Sequence, residues 1–211
     1  MRKVITGVFT GVMILALIGC GATAKTIKQK TQNERVGVFT EVKNADAPAQ
    51  GFAVLNIKAT IKTHLEGYYC LESKDSAHGK PGYPFLINID GQAATWAVNG
   101  LKESVPLYDK DGKTSLDPEA GDGIKYILGK KIQLRPGTHK VFLVLPADDY
   151  FREVEITLKE GDSITLEFRP VYKFKTQPTR IPNFKKGIKE YEVYLNNTCI
   201  NAGDTPNTCT K

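Results

Sequence analysis

Polar and apolar residues alternate with a period of two along most of the chain after about residue 50, which is the pattern of strands with one buried face. The clearest block is 134–168. Within it Val141, Leu143 and Leu145 share a face, as do Val154, Ile156 and Leu158, and then Ile164, Leu166 and Phe168. Arg135-Pro136-Gly137-Thr138 has the proline and glycine of a type II turn. Lys159-Glu160-Gly161-Asp162 reads as a second tight turn, closing a hairpin between strands of matched phase.

The same period extends in both directions. Over 51–65, Leu55, Ile57, Ala59, Ile61 and Leu65 point one way, and Lys58, Thr60, Lys62 and His64 the other. A strand over 83–90 leads into the turn Asp90-Gly91 and a returning strand over 93–98 that holds Trp96. Residues 99–123 break the pattern and read as a long acidic-polar connection. Strand character resumes over 124–134, with an irregularity expected at Gly129-Lys130-Lys131. Tyr191, Val193 and Leu195 predict a last strand. Eight or nine strands and no helical period predict an all-β, immunoglobulin-like antiparallel β-sandwich.

The flanks divide the chain further. Residues 1–19 read as a signal peptide, with Arg2 and Lys3 ahead of an apolar run too short to span a bilayer comfortably. Residues 20–50 read as a flexible tether, 51–175 as the sandwich, and 176–211 as a basic linker, a last strand and a cysteine-containing tail. Val36–Phe39 is a candidate short edge strand within the tether. Removing residues 1–19 takes Arg2 and Lys3 with it, so the formal net charge falls from +6 to +4.

Leu17-Ile18-Gly19-Cys20 resembles the bacterial lipobox. The resemblance implies acylation of Cys20, which becomes the mature N-terminus of a lipid-anchored cell-envelope protein. Gly21 in place of an aspartate leans the address toward the outer membrane. The block 134–168 is also similar to the small surface β modules called PEGA domains. Pro136-Gly137 stands for the opening turn, His139-Lys140-Val141-Phe142-Leu143 for the strand, Tyr150 for the aromatic position and Gly161 for the last turn. The connection after Asp90-Gly91 is longer than in that family, and Pro136-Gly137 lacks its intervening residue. Transthyretin-like modules are similar too. All imply a binding or structural role and carry no catalytic residues.

Enzyme motifs are absent from the sequence: no G-x-S-x-G, H-E-x-x-H, Walker loop or C-x-x-C. His64, His78 and His139 are scattered and read as solvated or locally bonded. Asp109, Asp111 and Asp117 in the acidic connection are candidate calcium ligands, although the full EF-hand spacing is missing. Lys173, Lys175, Lys185 and Lys186, interleaved with Tyr172, Phe174 and Phe184, form a basic-aromatic run suited to an acidic partner. Export makes nucleic acid a poor candidate. It also favours disulfides, and Cys199 with Cys209 is the expected pair, leaving Cys70 free or intermolecular; Cys70 bonded to either tail cysteine is the runner-up.

The functional expectation is a lipid-anchored envelope binding or scaffold protein that acts by contact with an envelope protein or polysaccharide. A carbohydrate- or ligand-binding lipoprotein stacking its ligand on Trp96 and tyrosines is the alternative. An enzyme of another kind comes third.

Overall fold

The computed structural model describes residues 25–43, 47–174 and 181–200. Its eleven strands are β1 (Phe39–Glu41), β2 (Ala53–Thr63), β3 (Tyr83–Ile89), β4 (Gln92–Val98), β5 (Leu101–Val105), β6 (Gly121–Leu134), β7 (Gly137–Leu145), β8 (Tyr150–Leu158), β9 (Ser163–Tyr172), β10 (Ile188–Leu195) and β11 (Thr198–Cys199). They form two sheets. The larger runs β1-β6-β2-β9-β10-β11, with β5 also bonded to β6, and the smaller runs β4-β3-β7-β8. The alternating apolar positions meet between the sheets. Leu55, Ile57, Tyr126, Leu128, Phe168 and Tyr191 from the larger sheet share one core cluster with Phe85, Ile87, Leu143 and Ile156 from the smaller.

The architecture is all-β, as the alternation predicts, but not wholly antiparallel. β2 and β9 pair in parallel, Val54 with Ser163 through Ala59 with Phe168. The turn at 159–162 therefore closes no hairpin. It carries the chain from β8 in the smaller sheet to β9 in the larger. Residues 135–136 make the reverse crossing, from β6 in the larger sheet to β7 in the smaller. Turn residues specify how sharply a chain reverses, and that leaves open whether the strands on either side pair or face each other across the core.

Other boundaries move as well. Residues 99–123 include β5, which pairs along the start of β6 from Leu101–Lys125 to Val105–Gly121. β6 passes Gly129-Lys130-Lys131 without a break in its register against β2. Leu65 lies beyond the end of β2. β1 and β10 flank the 51–175 span, yet both belong to the larger sheet. Part of the expected tether is docked. Residues 25–30 are helical, and Ile27 packs with Leu86, Phe142 and Val144 on the outer face of the smaller sheet. Asn88 Nδ2 donates to the Lys30 carbonyl at 2.8 Å, and the Glu34 and Arg35 amides donate to the Gly91 carbonyl. Among the described residues, no helix is long and apolar enough to cross a membrane.

Because β2 and β9 run in parallel, their C-terminal ends emerge at the same end of the sandwich. The β3 N-terminus, the β7 C-terminus and the β10 N-terminus emerge there too. This end gathers the segment 64–82, the 3₁₀ turn Pro146–Asp148 and the 3₁₀ turn Asn183–Lys186.

Candidate functional site

An open cleft of about 690 Å³ lies among those three segments. Its lining includes Lys62, His64, Glu72, His78, Asp148 and Lys185. These residues are widely separated in sequence and are brought together by the sheet crossings.

Lys62 occupies the last position of the polar face of β2 and would be solvated if that face of the sheet were open to water. Instead it is 1% exposed. Its Nζ donates to the carbonyls of Glu119 at 2.7 Å and Gly121 at 2.9 Å, and pairs with Glu103 Oε2 at 3.0 Å. The Phe184 ring covers it, with its centroid 5.0 Å from Nζ. Gly123 permits this closure, since a Cβ there would stand 2.5 Å from the Thr63 carbonyl oxygen and 2.9 Å from Lys62 Cε. The Tyr172 hydroxyl accepts from the Lys62 amide at 2.8 Å and donates to Glu119 Oε1 at 2.9 Å. Burial, with the Glu119 carboxylate, holds the Tyr172 hydroxyl well above the ordinary phenol pKa.

His64 and His78 do not stay apart in solvent. His64 is 5% exposed, its ring set edge-on to Tyr69 and His78. Its Nε2 lies 3.2 Å from His78 Nδ1 and 3.3 Å from Glu72 Oε1. The other ring nitrogens face acceptors. His64 Nδ1 is 2.9 Å from the Leu65 carbonyl, and His78 Nε2 is 3.2 Å from Asp148 Oδ1. Asp148 also accepts from the Tyr83 hydroxyl, which fixes the carboxylate against the core. Ser76 Oγ donates to Glu72 Oε1 at 2.5 Å. Burial opposes the charged form of His78, but the Asp148 bond and the nearby Asp148 and Glu72 charges outweigh it, so its pKa is raised. His139 remains locally bonded, between Asp90 Oδ2 at 2.7 Å and the Arg135 carbonyl at 2.9 Å.

The expected basic-aromatic run contributes only in part. Lys185 sits on the cleft rim with Nζ 3.9 Å from the Tyr68 ring centroid, and its carbonyl accepts from the Tyr69 hydroxyl at 2.8 Å. Burial, and then the neighbouring Lys62 charge, lower the Lys185 pKa against the pull of Asp122. Lys186 Nζ donates to Asn183 Oδ1 at 3.1 Å. The Lys173 amide donates to the Gly187 carbonyl, which ties the end of β9 to the same segment. Lys175 lies outside the described residues, as do Cys20 and Cys209. Cys199, by contrast, is not a free thiol, whereas Cys70 is free and exposed.

The acidic residues proposed for calcium serve their own loop. Asp109 Oδ1 accepts from the amides of Asp111 at 2.9 Å and Lys113 at 2.8 Å, and Asp117 Oδ1 accepts from the Glu119 amide at 2.8 Å. These are turn-forming bonds. Among the described residues, the cluster of three potential metal ligands that converges is His64, Glu72 and His78. Trp96 is no open stacking platform. Its Nε1 donates to Glu41 Oε2 at 3.0 Å, and Lys130 Nζ sits 5.5 Å from its ring centroid.

No family model matches the chain, and neither the curated proteins nor the solved structures contain a match.

Proposed function

We propose that this protein is a lipid-anchored cell-envelope module that works by contact, through the end of the sandwich that carries the cleft. The observation that carries this reading is an exposed apolar and aromatic rim braced by Lys185. Leu71 is 100% exposed, and Tyr68 and Tyr69 are 42% and 39% exposed. Tyr68 and Tyr69 stand beside Lys185, and Leu71 lines the same cleft. Such surface costs solvation free energy when it is left in water, and it is the composition that interfaces favour. The basic rim suits an acidic envelope partner, protein or polysaccharide. The anchor rests on the lipobox at Cys20, and two or more acyl chains hold a protein to a bilayer durably. The Cys199–Cys209 bridge belongs to the same exported reading.

One experiment in intact cells tests both parts. Wild type should fractionate with the outer membrane and capture a partner on crosslinking. Cys20→Ala should accumulate as unprocessed precursor. Lys185→Ser with Lys186→Ser should stay anchored and folded but lose most of the capture, and added salt should weaken capture by wild type. Normal processing of Cys20→Ala would refute the anchor, and undiminished capture by the lysine variant would refute the contact surface.

A further inference from the structure

The arrangement of His64, Glu72 and His78 goes beyond a contact surface. We infer that these three side chains bind one divalent transition-metal ion of zinc's class. The inference is independent of what the rim contacts.

Distance is the first argument. His64 Nε2, His78 Nδ1 and Glu72 Oε1 are separated by 3.2, 3.3 and 3.9 Å. A triangle with those edges has its corners about 2 Å from a common point, which is the length of zinc–nitrogen and zinc–carboxylate bonds. No side chain has to move far to ligate an ion there.

The tautomers supply the second. The Leu65 carbonyl can only accept, so His64 Nδ1 carries a hydrogen towards it. Asp148 likewise draws the hydrogen of His78 onto Nε2. His64 Nε2 and His78 Nδ1 then meet as two lone pairs beside the Glu72 carboxylate. Such a cluster calls for a cation at its centre. The outer partners are also the kind that metal-bound histidines have: one backbone carbonyl and one carboxylate. A proton shared between the two rings is the rival occupant, and the experiment separates the two.

Charge and donor type select the metal. Glu72 and Asp148 together carry the two negative charges that balance a doubly charged ion. Two nitrogen donors favour zinc, copper or nickel over calcium and magnesium, which prefer oxygen. Three protein ligands leave a fourth coordination position, and the cleft borders all three.

The test uses the untagged full chain, stripped with a chelator and titrated with Zn²⁺ by calorimetry and with Co²⁺ by absorption. The expected result is one equivalent of Zn²⁺ bound, a higher melting temperature in its presence, and a tetrahedral Co²⁺ spectrum without thiolate charge transfer. His78→Gln and Glu72→Gln should each weaken Zn²⁺ binding about 100-fold or more, and Asp148→Asn about tenfold. His139→Gln and Cys70→Ser should bind as wild type. Melting curves of each metal-free variant establish that it is folded. No stoichiometric binding to wild type would overturn the inference and leave the shared proton as occupant. Binding retained by His78→Gln, or a thiolate-dominated Co²⁺ spectrum, would overturn it as well.

Discussion

Replacing Lys62 with alanine is expected to destabilise the fold by about 3 kcal/mol, as for a buried charge partner removed alone. The Lys62 ammonium donates to two backbone carbonyls and pairs with Glu103 inside the protein. Without it, the carbonyls of Glu119 and Gly121 lose a donor at a site that Phe184 shields from water. An unmet buried acceptor costs about 1–3 kcal/mol. Glu103 Oε2, the oxygen that faces Lys62, is buried and has no hydrogen-bond partner among the described residues, so removal of the ammonium leaves that carboxylate oxygen without its counter-charge. The aliphatic stem adds lost packing. Lys62→Met keeps most of the stem and should recover part of the difference. Denaturant unfolding of both variants checks this. A Lys62→Ala midpoint equivalent to less than about 0.5 kcal/mol would place the residue among ordinary surface positions.

Gly79→Ala should cost about 2 kcal/mol or more and displace the segment that holds His78. Gly79 sits at φ +73°, and a Cβ there would lie 2.1 Å from the Glu66 amide nitrogen and 2.6 Å from the Leu65 carbonyl carbon. Those are backbone atoms, which cannot rotate away as a side chain can. The Gly79 amide also donates to Thr63 Oγ1 at 3.1 Å, a bond that pins the loop to the end of β2. Gly67 provides the comparison, because its φ is +74° but nothing lies within 4 Å of an added Cβ. Gly67→Ala should therefore cost only the left-handed penalty, about 1 kcal/mol. Unfolding measurements rank the two. Nuclear Overhauser contacts between the His64 and His78 rings should survive in Gly67→Ala and vanish in Gly79→Ala. Equal effects in the two variants would remove the close approach as the cause.

The strands were legible because a half-buried strand writes its own period. β3, β4, β7, β8 and β10 lie close to where alternation puts them. The distribution of strands between sheets was not legible. Gly161 takes a positive φ, as a tight turn requires, yet the chain passes from one sheet to the other around it. Whether the next strand pairs with the last depends on contacts far along the chain, such as Leu55 with Ile164. The short helical stretch at 25–30 was hidden for a related reason, since it is held through Ile27, Lys30 and their contacts with Asn88 and Phe142 rather than by an amphipathic stripe of its own.

The site was partly in view. The glycine- and tyrosine-rich segment 64–82 is a long connection, and long connections in compact domains tend to work. It holds two histidines and Glu72 within fifteen residues, a signal available without any structure. What concealed it was phase. His64 follows Lys58, Thr60 and Lys62 on the polar face of β2, which reads as solvent-facing. That face is covered at its far end by Phe184 and Tyr172, more than a hundred residues later, which bury Lys62, while Tyr69 and His78 pack on His64. Asp148 reaches His78 from the 3₁₀ turn that begins at Pro146, and no local pattern announces such a contact.

The measurement that bears most directly on the cleft as the working end is site-specific photocrosslinking in cells. A photoreactive residue in place of Leu71 stands at the rim of the cleft, and one in place of Lys159 stands on an exposed turn at the other end of the sandwich. The expected result is a discrete envelope species captured from position 71, absent from position 159, and diminished when Lys185 and Lys186 are serine. Capture of the same species from position 159, with none from position 71, would contradict the account.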